Sequence, residues 1–260
     1  MRTEIIKELR YAIRSGRVLI LFASFLFLAL LAPVMLKVVL PMVLSGQLGG
    51  ETTQGISGLT DMTQLDCIRN YMDDVSQIGT IIIAFTLCGL TASEIRDNTW
   101  VLPLCADKRY RQMVGAKLLV FGVLMVLILT IALLADYGYS GLLFGFEIGV
   151  MPILYGGLLQ GIYVLFLLSC LIMWGVLLRK PIPAGFLTLA TAFGIHFISS
   201  LLNVQRWTPS GLLVEAQKLM PSVTLSLLIP IAVTVLLIVF MTARTLLRLR
   251  HLEWNVRTVR

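Results

Sequence analysis

The run from Val18 to Leu44, VLILFASFLFLALLAPVMLKVVLPMVL, decides how the rest of the chain is read. It holds a single charge, Lys37. A spanning helix needs about 20 apolar residues to cross roughly 30 Å of hydrocarbon, and this run exceeds that length. Five further runs follow it: Ile78 to Ala92, Met113 to Leu134, Ile148 to Leu178, Ile182 to Leu202 and Val223 to Ala243. Only Ile78 to Ala92 is short, and it can borrow length from Tyr71 to Gln77. The pattern predicts an all-α polytopic membrane protein with six transmembrane helices over residues 18–243. The first run follows basic residues, as the apolar core of a secretory signal does. Such a core spans only about 7–15 residues and ends at a small-residue cleavage site, so the run is expected to stay as the first span. Lys37 falls near the far end of that span, where its ammonium can snorkel to the interface.

The basic residues fix the expected orientation. With both termini on the cytoplasmic side, the inner segments hold Arg2, Lys7, Arg10, Arg14 and Arg17, then Arg96, Lys108, Arg109, Arg111 and Lys117, then Arg179 and Lys180, then Arg244, Arg248, Arg250, Arg257 and Arg260. Of 21 Lys and Arg, only Lys37, Arg69, Arg206 and Lys218 remain outside, whereas the acids lean outward. A chain with 58% hydrophobic and 13% charged residues is not a soluble domain. Its net charge of +7 is spread over short segments flanking the spans, which suits anionic lipid headgroups and not nucleic acid. The four cysteines, Cys67, Cys88, Cys105 and Cys170, fall in different compartments without C-x-x-C spacing, so neither a disulfide framework nor a redox motif is expected.

Between the spans lie four informative segments. Residues 1–17 carry Ile5, Ile6, Leu9, Ala12 and Ile13 at helical spacing against Glu4, Lys7, Glu8, Arg10 and Arg14, the pattern of an amphipathic elbow in the membrane interface, broken at Ser15-Gly16. The outer loop 45–77 begins glycine-rich, then shows Met62, Leu65, Ile68, Met72 and Val75 at helical spacing, predicting an outer surface helix. The cytoplasmic loop 94–112 has a charged start, a short apolar stretch from Trp100 to Leu104 and a basic cluster, with Asp107 a candidate cap for the next helix. Such an element suits docking into a protein groove, or an interfacial turn with Trp100 at headgroup level. In residues 203–222, Thr208-Pro209 starts a short outer helix that puts Leu212, Leu213, Ala216, Leu219 and Met220 on one face. A basic tail, 244–260, closes the chain.

With these features together, the chain resembles the type-2 permease subunits of ATP-binding-cassette (ABC) exporters. The resemblance covers the whole layout. It is carried by Lys7-Glu-Leu-Arg10, Arg14-Ser15, Glu94, Thr99 before an apolar stretch, Lys108-Arg109, Gly115-x-Lys117, Trp207-Thr-Pro-Ser-Gly-Leu-Leu213 and the Arg-rich exit of the last span. The family commonly shows Gly-Thr where Asn98-Thr99 stands, and an acidic residue near Val101. The resemblance implies that loop 94–112 is a coupling helix seated on a separate ABC ATPase subunit, with Glu94, Arg96, Asp97, Thr99, Trp100 and Leu104 as its coupling residues. It further implies a bacterial plasma-membrane assembly of two permease chains, identical or not, and two ATPases. ATP and Mg would sit on the ATPases.

No G-x-x-x-x-G-K-[ST] occurs, so any ATP hydrolysis is expected on another polypeptide, and no H-E-x-x-H or G-x-S-x-G points to an intramembrane enzyme. Gln160, His196, Ser199, Ser200 and Asn203 are the candidate pathway-lining residues. The last four recur every three to four residues, forming a polar stripe on the fifth span, which can line a path or bond to a neighbouring helix. Gly141, Gly145 and Gly149, and Gly157 and Gly161, have the small-x-x-x-small spacing of close helix approach. The alternatives are a secondary transporter or channel without an ATPase, and a non-transporting membrane anchor or sensor. The absence of a visible midplane acid and of similar halves speaks against a coupled carrier. The substrate is not legible.

Overall fold

A computed structural model describes residues 2–39, 42, 63–106, 109–219 and 225–251. The helices are α1 (Arg2–Arg14), α2 (Arg17–Val39), α3 (Gln64–Arg96), α4 (Val101–Cys105), α5 (Tyr110–Phe144), α6 (Val150–Leu178), α7 (Pro181–Leu201), α8 (Ser210–Gln217) and α9 (Leu225–Arg250), with a short 3-10 turn at Gln205–Trp207. No strand occurs among the described residues. Six of these helices, α2, α3, α5, α6, α7 and α9, are long and apolar enough to cross a membrane.

The break between α1 and α2 falls at Ser15-Gly16, where Gly16 takes φ 70°, a conformation glycine adopts without steric penalty. On α1, Glu4, Glu8 and Ala12 face the bundle, while Ile6, Leu9 and Ile13 stay exposed.

Cross-helix contacts sort the chain into two ends. At the basic end, Glu8 of α1 meets Lys117 of α5, the Arg17 guanidinium lies against Gly89 of α3, and Gly175 of α6 packs on Ala92. At the opposite end, Lys37 Nζ donates to the carbonyl of Leu143 (2.7 Å), one of the free carbonyls closing α5. Gln64 Nε2 donates to the Tyr137 carbonyl (3.2 Å), and Arg69 Nε to the Gln217 carbonyl (3.2 Å). Successive spans therefore run antiparallel, as six crossings require.

The core is organised around α6, which packs on α5, α7, α8 and α9 and has 67% of its apolar window buried, against 28% for α7 and 22% for α9. The Gly157/Gly161 pair lies at the α5–α6 contact: a Cβ at Gly161 would come within 2.8 Å of Val126. The other glycine triplet is not a helix face, because α5 ends at Phe144 and Gly145 and Gly149 lie outside it.

Several helices run further than their apolar stretches, α5 among them, which continues to Phe144. The second span begins at Gln64, capped by a reciprocal Thr63–Asp66 box, and continues through a π turn at Val75–Gly79. Residues 64–77 are thus helical as expected but form the first turns of α3 and not a separate surface helix, and Cys67, Ile68, Tyr71 and Met72 are buried against α2, α5 and α8. Helix α9 runs on to Arg250, so the first part of the basic tail is helical. The short helix α8 buries Leu212, Leu213, Ala216 and the following Leu219 against α6, tucked into the bundle end. The capping role expected of Asp107 falls outside the described residues, and the residue preceding α5 is Arg109, whose side chain makes no cap bond.

Candidate functional site

Lys117 sits two turns into α5 and is 1% exposed. A buried ammonium is stable only when paired and hydrogen-bonded. Two carboxylates supply this: Glu8 Oε2 and Glu94 Oε1 each lie 2.9 Å from Nζ. The second oxygen of Glu94 accepts a hydrogen bond from Trp100 Nε1. The ring of Tyr11 stands between two cations, 5.9 Å from Lys117 Nζ and 5.5 Å from Arg17 Cζ, within cation–π reach of both. One buried cluster therefore ties four segments together: α1 through Glu8 and Tyr11, the end of α3 through Glu94, the connector through Trp100, and α5 through Lys117.

The connector is shaped by its own backbone. The Asp97 amide donates to Ser93 O (2.8 Å) and the Thr99 amide and hydroxyl both donate to Glu94 O (3.0 and 3.1 Å), which terminates α3. Asn98 takes φ 54°, the left-handed region. Asparagine tolerates that conformation best after glycine. The turn leaves Arg96, Asp97 and Thr99 exposed and folds Trp100 inward, 1% exposed. Arg96 Nε pairs with Asp97 Oδ1 at 3.0 Å in open solvent, where such pairs contribute little. Leu104 is half-buried against the core. Of the six candidate coupling residues, Arg96, Asp97 and Thr99 form the presented face, and Glu94, Trp100 and Leu104 anchor it. Nothing local in the sequence marks Glu8 as a partner, since it lies 109 residues from Lys117.

The five pathway candidates do not converge. Gln160 is buried between α6 and α3, with Nε2 donating to Met72 O (3.3 Å). Ser199 is buried too, its hydroxyl 2.8 Å from that of Ser210, which in turn lies 2.7 Å from Thr208 Oγ1. That chain of hydroxyls docks α8 against α7. His196 and Ser200 are exposed on the outer surface of α7, and Asn203 is exposed in the left-handed turn just beyond its end. Asn203 also lines a polar cavity of about 180 Å³ with Gln205, Arg206, Glu215 and Lys218 at the opposite end.

A residue the sequence reading placed among the outer acids is instead inside the protein. Asp136 is 0% exposed on α5, and among the described residues neither carboxylate oxygen has a hydrogen-bond partner. Tyr71 on α3 is equally buried with an unpartnered hydroxyl. The sequence clue was present: Asp136 follows the third apolar run by two residues, and the helix does not end there. No known protein family, curated protein or solved structure matches this chain.

Proposed function

We propose that this chain is the membrane permease subunit of an ABC exporter, moved by a separate ATPase docked on the connector at its basic end. The observation that carries the reading is the Glu8–Lys117–Glu94–Trp100 cluster. A connector with a free solvent face and a root sunk into a charged network would pass displacement to α1, α3 and α5 together, because packed elements shift between discrete arrangements and do not stretch. In this reading the basic end is cytoplasmic, α1 lies in the interface with Ile6, Leu9 and Ile13 towards lipid, and the membrane is a plasma membrane. The polar pair His196 and Ser200 on α7 faces a second permease chain, since polar groups left against lipid lack partners. ATP and Mg act on the ATPase, and this chain performs no hydrolysis.

The test is mild-detergent purification of the full chain from its native membrane, followed by identification of co-purifying subunits. Wild type is expected to bring down an ATPase bearing the G-x-x-x-x-G-K-[ST] loop. Asp97→Arg, on the exposed face and away from the buried anchors, should lower its recovery by roughly tenfold, equivalent to about 1.4 kcal/mol of binding. Recovery of no such ATPase, or equal recovery with Asp97→Arg, would count against the proposal.

Asp136 favours a second reading, a carrier coupled to a proton or a cation, because a buried ionisable residue among spanning helices is a candidate coupling site. That reading needs transport in the chain's own liposomes without nucleotide.

A further inference from the structure

At the basic end, a cavity of about 420 Å³ opens between α6 and α9. Its walls combine two chemistries. Arg244, Arg248 and His251 are spaced by four and three residues, which puts all three on one face of α9's end. Trp174, Leu177 and Leu247 supply an apolar floor. The indole is fixed in place, because its Nε1 donates to Thr191 Oγ1 of α7 at 3.1 Å. Among the described residues, no carboxylate forms an ion pair with Arg244, Arg248 or His251. The contrast within the molecule is sharp: Lys117 at this same end is matched by two carboxylates, and Lys218 in the opposite cavity is matched by Glu215 at 2.6 Å.

We infer that this cavity is a binding site for an anionic phospholipid, its phosphate held by Arg244 and Arg248 and its acyl chains lying along Leu177 and Leu247. Two guanidiniums one turn apart match phosphate oxygens with fork-shaped donors. Basic pockets between spanning helices at the cytoplasmic leaflet are the sites where acidic headgroups lodge. The apolar floor selects a lipid over a soluble phosphate ester. Leu177 and Leu247 are half-exposed on the flank of the bundle, where α9 is the least buried of the six long helices, so the cavity is open to the bilayer side. A zwitterionic lipid presents the same phosphate beside a cation that Arg244 and Arg248 repel. The inference rests on the membrane placement of α6 and α9 alone, and not on the presence of an ATPase.

The experiment uses the full chain in detergent, titrated with phosphatidylglycerol or phosphatidylcholine and read by native mass spectrometry. Wild type should retain phosphatidylglycerol roughly tenfold more strongly than phosphatidylcholine, given two juxtamembrane arginines. Arg244→Gln with Arg248→Gln should abolish that preference, while Lys7→Gln with Arg10→Gln, basic residues on α1, should keep it. Should the arginine variant fail to fold, Leu247→Trp fills the floor with the charges intact and should also lose the lipid. Preference retained in the arginine variant, or lost equally in the α1 variant, would overturn the inference. Displacement of the lipid by soluble glycerol phosphate would overturn it in favour of a soluble phosphate ester.

Discussion

Lys117→Met is expected to lower stability by about 3–5 kcal/mol, the cost of breaking a buried ion pair and leaving its partners uncompensated. Methionine closely matches the volume of the lysine stem, so little of the loss is a cavity. The damage comes from Glu8, whose side chain is 4% exposed, and from Glu94, at 15% the more solvent-relieved of the two. Glu8→Gln should cost less, because Lys117 keeps Glu94. The pair Glu8→Gln with Lys117→Met should recover part of the single variant's loss, since one stranded charge is removed. Thermal unfolding of the four proteins in one detergent gives the coupling directly. Additive losses, or an unchanged Lys117→Met, would mean that water reaches the cluster and that it does not bind the four segments together.

Asp136→Leu is expected to act in the opposite direction, raising stability by roughly 1–3 kcal/mol. Leucine keeps the branched outline of the side chain and removes two buried oxygens that lack partners among the described residues, whereas asparagine would bury an equally unpartnered amide. A residue that weakens the fold yet occupies the packed interface of α5 and α3 is the kind of local inconsistency found at functional sites. The stabilised variant is therefore expected to lose activity. Unfolding in detergent checks the first half of this expectation, and a destabilised Asp136→Leu would show that the carboxyl group is a structural acceptor and not an unmatched burden.

The six spans and their alternation were legible because lipid imposes one simple demand, a long apolar run, and each run carries it locally. The buried face of α8 was legible for the same reason: Leu212, Leu213 and Ala216 repeat at helical spacing. What escaped the sequence were places where polar residues are buried by protein and not by lipid. The turns around Gln64 read as a surface helix, yet they bury Gln64, Cys67, Ile68 and Tyr71 against neighbouring helices. Asp136 lies just past an apolar run, and only the continuation of α5 to Phe144 carries it into the interior. Lys117 read as a headgroup-level cation, because its partner Glu8 is remote in sequence and nothing local reveals the pairing. Trp100 read as either a docking residue or an interfacial one, and it is neither exposed nor free, being bonded to Glu94. Which residues of the connector between α3 and α5 point outward depends on the left-handed turn at Asn98, which no local pattern announces.

The central claim is that a nucleotide-driven companion moves this bundle through its connector. The most direct measurement places Ser200→Cys, exposed on α7, in a chain whose four native cysteines are replaced. Its reaction rate with a membrane-impermeant maleimide is then followed in liposomes holding chain and ATPase together. The account predicts a rate that changes when ATP replaces ADP, and a change that disappears when the ATPase is omitted or Asp97→Arg is introduced. A rate indifferent to nucleotide with the ATPase bound, or one that shifts equally without it, would contradict the account.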